Sequence, residues 1–289
     1  MYNRRSFHFT FNIMRLVIQG PHLGQEQLSH LTTLSAAPAA KIADQAYVIH
    51  VTGRNAEVVS YCDLHGIDAA FVPDAQVLDN FGLVVMDMDS TLINIECIDE
   101  IADMQGLKPQ VAAITESAMR GEIEFAESLR RRVALLEGLD ESALQRVYDE
   151  RLQLNPGAQT LIDTLQAHGI NTMLVSGGFT FFTDRLKTRV GLDHAHANVL
   201  EAANGKLTGK VLGAVLDAQG KADWLTRIRD ELGLRPDQVI AIGDGANDLK
   251  MMEAAGVGIA YHAKPVVRAQ ATYAISHVGL DGVLNLFKA

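Results

Sequence analysis

Apolar and polar positions follow two rhythms along this chain. Short, nearly continuous apolar runs rich in Val and Ile occur as RLVIQG, AYVIHVTG and IDAAFVP before residue 80, and again at 83–85, 171–179 and 239–242. Runs of this length suit strands buried in a sheet and are too short for buried helices. Segments with helical character lie between them, at 24–34, 57–64, 157–168, 180–190 and 221–232. Asn155-Pro156 reads as a helix start, with Asn as the cap and Pro at the first helical position, and Gly169 reads as its end. Asn204-Gly205, inside the alternating stretch 197–216, signals a type I′ hairpin. VGIAY and TYAIS add two short strands near the end.

From residue 80 onward strand and helix alternate, which predicts an α/β fold: a doubly wound parallel sheet with helices on both faces. The stretch 95–154 reads as helical throughout and interrupts that alternation just after the first strand. It is expected to be an inserted cap over the strand ends. Residues 15–80 form a separate small α/β unit, with 74–80 as a linker. Nothing in that unit has catalytic spacing; His22, His30, His50 and His65 are scattered. A role in sensing a small molecule, as an ACT-like regulatory unit, and a purely structural role both stay open. Residues 1–14 lack the long apolar core of a secretory leader and read as a disordered extension, with Met14 an alternative start.

Composition narrows the function classes. A chain of 289 residues that is 48% hydrophobic and 21% charged can bury a substantial core. Its formal charge of −10 argues against nonspecific nucleic-acid or anionic-membrane partners. Cys62 and Cys97 are its two cysteines, with no C-x-x-C, which gives neither a disulfide framework nor a thiolate zinc site. No apolar stretch reaches the roughly 18 residues of a transmembrane helix. A soluble, reduced, cytoplasmic protein is the default expectation, with monomer and homodimer both open.

The chemistry concentrates where three buried runs end. The first ends in Asp87-Met88-Asp89-Ser90-Thr91, the second in Ser176-Gly177-Gly178, the third in Gly243-Asp244-Gly245-Ala246-Asn247-Asp248. Parallel strands all end on one side of their sheet, so the three clusters would meet in one crevice. A strand ending in a solvated turn is the ordinary explanation for one such cluster, not for three. Two carboxylates as close as Asp87 and Asp89 repel unless a cation or a shared proton intervenes. Four carboxylates without a histidine suit a hard, oxygen-seeking cation, for which Mg²⁺ is the natural choice. Ser176 offers a hydroxyl, the glycines let backbone N–H groups approach an anion, and Lys221 offers a point charge for phosphate.

These motifs, DMDSTL, SGG, Lys221 and GDGAND, resemble the four signatures of the haloacid-dehalogenase superfamily of phosphohydrolases. DSTLINIECIDEIA, SLRRRVALL, VSGGF and NGKLTG are similar to the branch of that superfamily that hydrolyses phosphoserine, over residues 83 to the end. The resemblance implies a Rossmann-like core at 81–289 with a helical cap, and hydrolysis through an aspartyl-phosphate. It implies Asp87 as nucleophile and Asp89 as acid–base. Mg²⁺ would be held by Asp87, Asp244 and the Asp89 backbone carbonyl, with Asp248 ordering the surroundings. Ser176, Gly177, Lys221 and Asn247 would bind the phosphoryl group, Glu96 the substrate ammonium and Arg132 its carboxylate. Met119 and Phe125 match apolar positions that close over the substrate. Met88 departs from the pattern, where Phe is frequent. A phosphotransferase, a phosphatase for another small phosphometabolite, and a receiver-type phospho-accepting domain are the alternatives.

Overall fold

The computed structural model describes residues 13–288, so the expected N-terminal extension lies outside the described residues apart from Ile13 and Met14. The chain forms two compact units. One runs to Val77 and includes the chain from Leu284 onward; the other is Leu78–Val283.

The smaller unit is built from β1 (Met14–Gln19), α1 (Gln25–Ser35), β2 (Ala39–Ala43), β3 (Ala46–Val51), α2 (Ala56–His65) and β4 (Asp68–Pro73). Its sheet has the order β2-β3-β1-β4, antiparallel throughout. Leu16, Ile18, Ile49 and Phe71 pack against Leu31, Val58 and Cys62 of the helices. Asn55 caps α2 by accepting from the Glu57 N–H, and Gly66 ends it in the left-handed region. The sequence pattern leaves out β2. That strand sits at the sheet edge with Ala40, Lys41 and Ile42 exposed, so no buried face marks it. Arg15 is buried and donates to the carbonyls of Gln76 and Leu286, at 3.2 and 3.1 Å.

The larger unit begins with β5 (Leu83–Met86), buried along its whole length. Next come α3 (Cys97–Asp103), α4 (Lys108–Met119), α5 (Phe125–Ala134) and α6 (Ser142–Glu150), four helices where the pattern gave one helical block. Then follow α7 (Ala158–Ala167), β6 (Asn171–Phe179), α8 (Thr180–Val190), β7 (His194–Ala203), β8 (Lys206–Leu212) and α9 (Ala218–Glu231). The unit ends with β9 (Val239–Gly243), α10 (Leu249–Ala254), β10 (Val257–Tyr261), α11 (Pro265–Arg268) and β11 (Tyr273–Ile275). The sheet order is β11-β10-β9-β5-β6-β7-β8. Every pair is parallel except β7–β8, which Asn204 and Gly205 join, both at positive φ as the hairpin signal requires. Leu83, Val85, Met173, Val175, Val239 and Ala241 share one core with Leu225 and Ile228 of α9 and Met251 and Met252 of α10.

Two boundaries shift from the sequence expectation. α7 starts after Gly157, not at Pro156. Asn155 does not cap it with its side chain; its amide donates to the carbonyls of Thr91 at 2.8 Å and Ile93 at 3.1 Å. Those long-range acceptors outcompete the local cap. α9 starts at Ala218, one turn before Lys221, because Asp217 accepts from the Gly220 N–H and supplies the cap. The cap helices leave and rejoin the core through a short two-stranded stem. Ile93 bridges Leu154, and the Asn94 N–H donates to the Gln153 carbonyl at 3.0 Å.

Candidate active site

The chain runs outward from β5 to β6 and β7 on one side, then returns to β9, β10 and β11 on the other. The crevice of such a sheet opens where the order reverses, beside β5. The three polar clusters end β9, β5 and β6, which are immediate neighbours. The topology therefore brings Asp87, Asp89, Ser176, Gly177, Asp244, Asn247 and Asp248 to one edge.

Asp87 leaves the sheet with its N–H still donating to the Ile242 carbonyl, at 3.0 Å. Its Oδ1 accepts from the Met88 N–H and from Lys221 Nζ, both at 2.7 Å, and these two donors fix the carboxylate plane. The chain then turns sharply: Ser90 takes φ 55°, a left-handed conformation costly for a side-chain-bearing residue. Strain of this kind clusters at functional sites. The turn separates Asp89 from Asp87 and aims its Oδ1 at the Cys97 N–H, 3.2 Å away. Burial, reinforced by the Glu96 charge, pushes Asp89 up to about 7.

Lys221 is 1% exposed, and its Nζ lies 2.7 Å from both Asp87 Oδ1 and Asp248 Oδ1. A buried ammonium needs such partners, and the flanking carboxylates raise its affinity for the proton. Asp248 has no exposed surface, and its Oδ2 accepts from the Gly245 N–H at 3.0 Å. Both its oxygens are thus engaged, as suits a group that positions Lys221. Asp244 accepts from Thr91 Oγ1 at 3.2 Å, and burial with the nearby Asp248 charge pushes it up to about 6.

The carboxylates of Asp87, Asp244 and Asp248 can each point one oxygen to within 4.8 Å of the others. This all-oxygen set fits a hard divalent cation. Asp89 contributes no side-chain oxygen to that group, in keeping with its carboxylate being turned toward Cys97. Asn247 sits half-buried on the turn after β9, its side chain folded over Gly245.

The SGG segment differs from expectation in one respect. The Gly178 N–H donates to Ser176 Oγ at 2.8 Å, within the last residues of β6, and is not held out for an anion. A Cβ on Gly178 would lie 2.9 Å from Asp89 Oδ2 and 3.0 Å from Ser176 Oγ, so the missing side chain is what lets β6 approach Asp89. A Cβ on Gly177 would stand 2.9 Å from the Phe125 ring, which places this cap residue over the site. The Met119 side chain lies outside the described residues.

The cap contributes two charged groups. Glu96 accepts from Ser90 Oγ at 2.7 Å, and burial raises its proton affinity. Arg130 and Arg131 are exposed, the latter paired with Glu127 at 2.7 Å. Arg132 turns inward, and its guanidinium feels Asp99, Glu96 and Asp89. Helix phase thus separates three consecutive arginines. Three residues make site contacts that the sequence reading did not assign them: Thr91, two residues after Asp89, donates to Asp244; Asn155 clamps the turn after β5; Asn198 is a buried amide in β7.

Three adjacent strand ends of a parallel sheet gather buried carboxylates and a hydroxyl, and α9 brings a buried lysine to them, an arrangement suited to handling a phosphoryl group. The chain belongs to the haloacid dehalogenase-like hydrolases, whose family model matches residues 84–253. Among curated relatives, a phosphoserine phosphatase of Polaromonas sp. is 53% identical over 221 residues, covering 75% of this chain and 93% of that one. The crystal structure of a probable phosphoserine phosphatase from Vibrio cholerae, unliganded, superposes with a TM-score of 0.82 at 40% identity, covering 94% of this chain and 85% of that one. A HAD family hydrolase from Salmonella enterica serovar Typhi superposes with a TM-score of 0.86 at 32% identity, covering 96% and 98%.

Proposed function

We propose that this chain hydrolyses O-phosphoserine to serine and phosphate, as a cytoplasmic Mg²⁺-dependent enzyme at the last step of serine biosynthesis. The observation that carries the reading is the buried Asp87–Lys221–Asp248 chain facing a cap that supplies Glu96 and Arg132. Opposite charges side by side, one anionic and one cationic, match the ammonium and carboxylate of an amino acid. A receiver-type domain needs neither, and the identity to phosphoserine phosphatases supports the same choice.

The chemistry follows from the residues. Asp87 attacks phosphorus; the bond from phosphorus to the serine oxygen breaks, leaving an aspartyl-phosphate. Asp89, held near neutrality by burial, gives its proton to the departing oxygen. Its carboxylate then takes a proton from water, which attacks phosphorus, releases phosphate and restores Asp87. Lys221 offsets charge on Asp87 and on the phosphoryl oxygens, while Asp248 fixes where its ammonium sits. Ser176 accepts from Gly178 and so keeps its own proton to donate to phosphate. Asp87, the Asp89 carbonyl and Asp244 would hold Mg²⁺, which supplies positive charge against the repulsion between two anions. Asn247 faces the phosphoryl group, and Arg132 and Glu96 hold the amino-acid end.

A phosphate-release screen over phosphoserine, phosphothreonine and sugar phosphates, with Mg²⁺ and with EDTA, tests the proposal. Preference for phosphoserine, lost in EDTA, is expected. Equal turnover of sugar phosphates, or activity indifferent to EDTA, would overturn it.

A further inference from the structure

Asn198 is buried in β7, separated by β6 from the strand that carries Asp87, and nothing in the mechanism above uses it. Its amide makes two bonds. Nδ2 donates to the Gly177 carbonyl at 2.8 Å, and Oδ1 accepts from the Leu216 N–H at 2.7 Å. Gly177 belongs to the segment that carries Ser176. Leu216 immediately precedes Asp217, the residue that caps α9 and so sets where Lys221 stands. One side chain therefore ties together the two pieces of chain that grip the phosphoryl group.

The need for such a tie follows from the two glycines. A peptide between Gly177 and Gly178 has no side chain on either flank to hinder its rotation. Its N–H end is occupied by Ser176 Oγ, its C=O neighbour by Asn198. With the plane held, the Gly178 N–H stays on Ser176 Oγ, and the serine hydroxyl proton stays free for phosphate. Bonds in such a chain also polarise one another.

Resting on the phosphatase reading above, we infer that Asn198 is a positioning residue for phosphate recognition, acting through Gly177 and Ser176. A double-mutant cycle tests it, with Asn198→Asp as the central variant. Aspartate keeps the shape and the acceptor for Leu216 but presents an oxygen to the Gly177 carbonyl. Phosphoserine kinetics and the affinity for inorganic phosphate, by calorimetry with Mg²⁺, are measured for the parent, Asn198→Asp, Ser176→Ala and the double variant. A loss in kcat/KM of about 10- to 100-fold is expected for Asn198→Asp, typical of displaced site geometry. Phosphate affinity falls with it; because a buried oxygen facing the Gly177 carbonyl also lowers thermal stability, the cycle is repeated with Asn198→Ala at a temperature where every variant is folded, and the same coupling to Ser176 is expected. The loss should largely vanish when Ser176 is already alanine, because the pathway runs through that hydroxyl. Independent, multiplicative losses, or an Asn198→Asp protein with parental kinetics and phosphate affinity, would overturn the inference. A parent that binds phosphate without hydrolysing phosphoserine would count against the substrate reading, and the cycle would still be read through phosphate affinity.

Discussion

The strand ends and the cap solve different problems with similar residue types. At the strand ends Asp87, Lys221 and Asp248 are buried, and each contact is 2.7 Å. Charges desolvated to that degree interact strongly and tolerate little displacement. In the cap, Glu96 and Arg132 stay partly accessible, and the arginine is held by one long bond to the Ser128 carbonyl at 3.4 Å. A group that must recognise a solvated zwitterion gains from reach. A group that must stabilise transferring charge gains from being fixed in advance. On the proposed mechanism, the contrast puts rate in the core and selectivity in the cap.

The sharpest way to break that assignment is at Asp87. Asp87→Asn should lower turnover by 10⁴-fold or more, in the range of nucleophile removal in other hydrolases, with the fold retained by circular dichroism. Appreciable hydrolysis by the folded variant would remove Asp87 from the nucleophile's place. Asp89→Asn should cost about 10²–10⁴-fold, the usual worth of general acid–base help. An aryl phosphate, whose leaving group needs little protonation, should lose far less; equal losses on both substrates would contradict the acid role.

Arg132→Ala tests the cap. Once bound substrate covers Arg132, truncating this partner of its carboxylate costs about 2 kcal/mol, so kcat/KM for phosphoserine should fall roughly 30-fold, mostly in KM. An aryl phosphate has no carboxylate and should be nearly unaffected. If both substrates suffer alike, selectivity does not reside in this arginine.

The smallest effect is on stability. Asp89 and Asp244 are raised from 3.8 to about 7 and about 6, so the metal-free folded state binds more protons than the unfolded state across that range. Their contribution is full below about pH 4 and lost as pH rises through about 6 to 7. The metal-free melting temperature should therefore drop by a few degrees between pH 5 and pH 8. Mg²⁺ binds the ionised carboxylates and should raise it more at pH 8 than at pH 5. A Mg²⁺ stabilisation independent of pH would mean the ion binds elsewhere.

Much of this was readable in the chain. Asn171–Phe179 and Thr180–Val190 form the strand and helix that the pattern assigns them, because apolar runs and turn residues there agree with each other. The exposed edge strand β2 and the late start of α7 were not readable. In each, a distant part of the molecule decided the outcome: the β3 edge in one, the carbonyls of Thr91 and Ile93 in the other.

The sequence by itself determined the strand-end acids, their order and their spacing, since these are local properties of short runs. It also determined the family, because a family is carried by residues at fixed separations. The resemblance already singled out Arg132, but only the tertiary structure shows it half-buried while Arg130 and Arg131 stay exposed, and shows Lys221 reaching Asp87 and Asp248 from a helix far away in the chain. It likewise decided that Asn198 holds Gly177. Those facts depend on helix phase and on which strands are neighbours, and long-range packing fixes both.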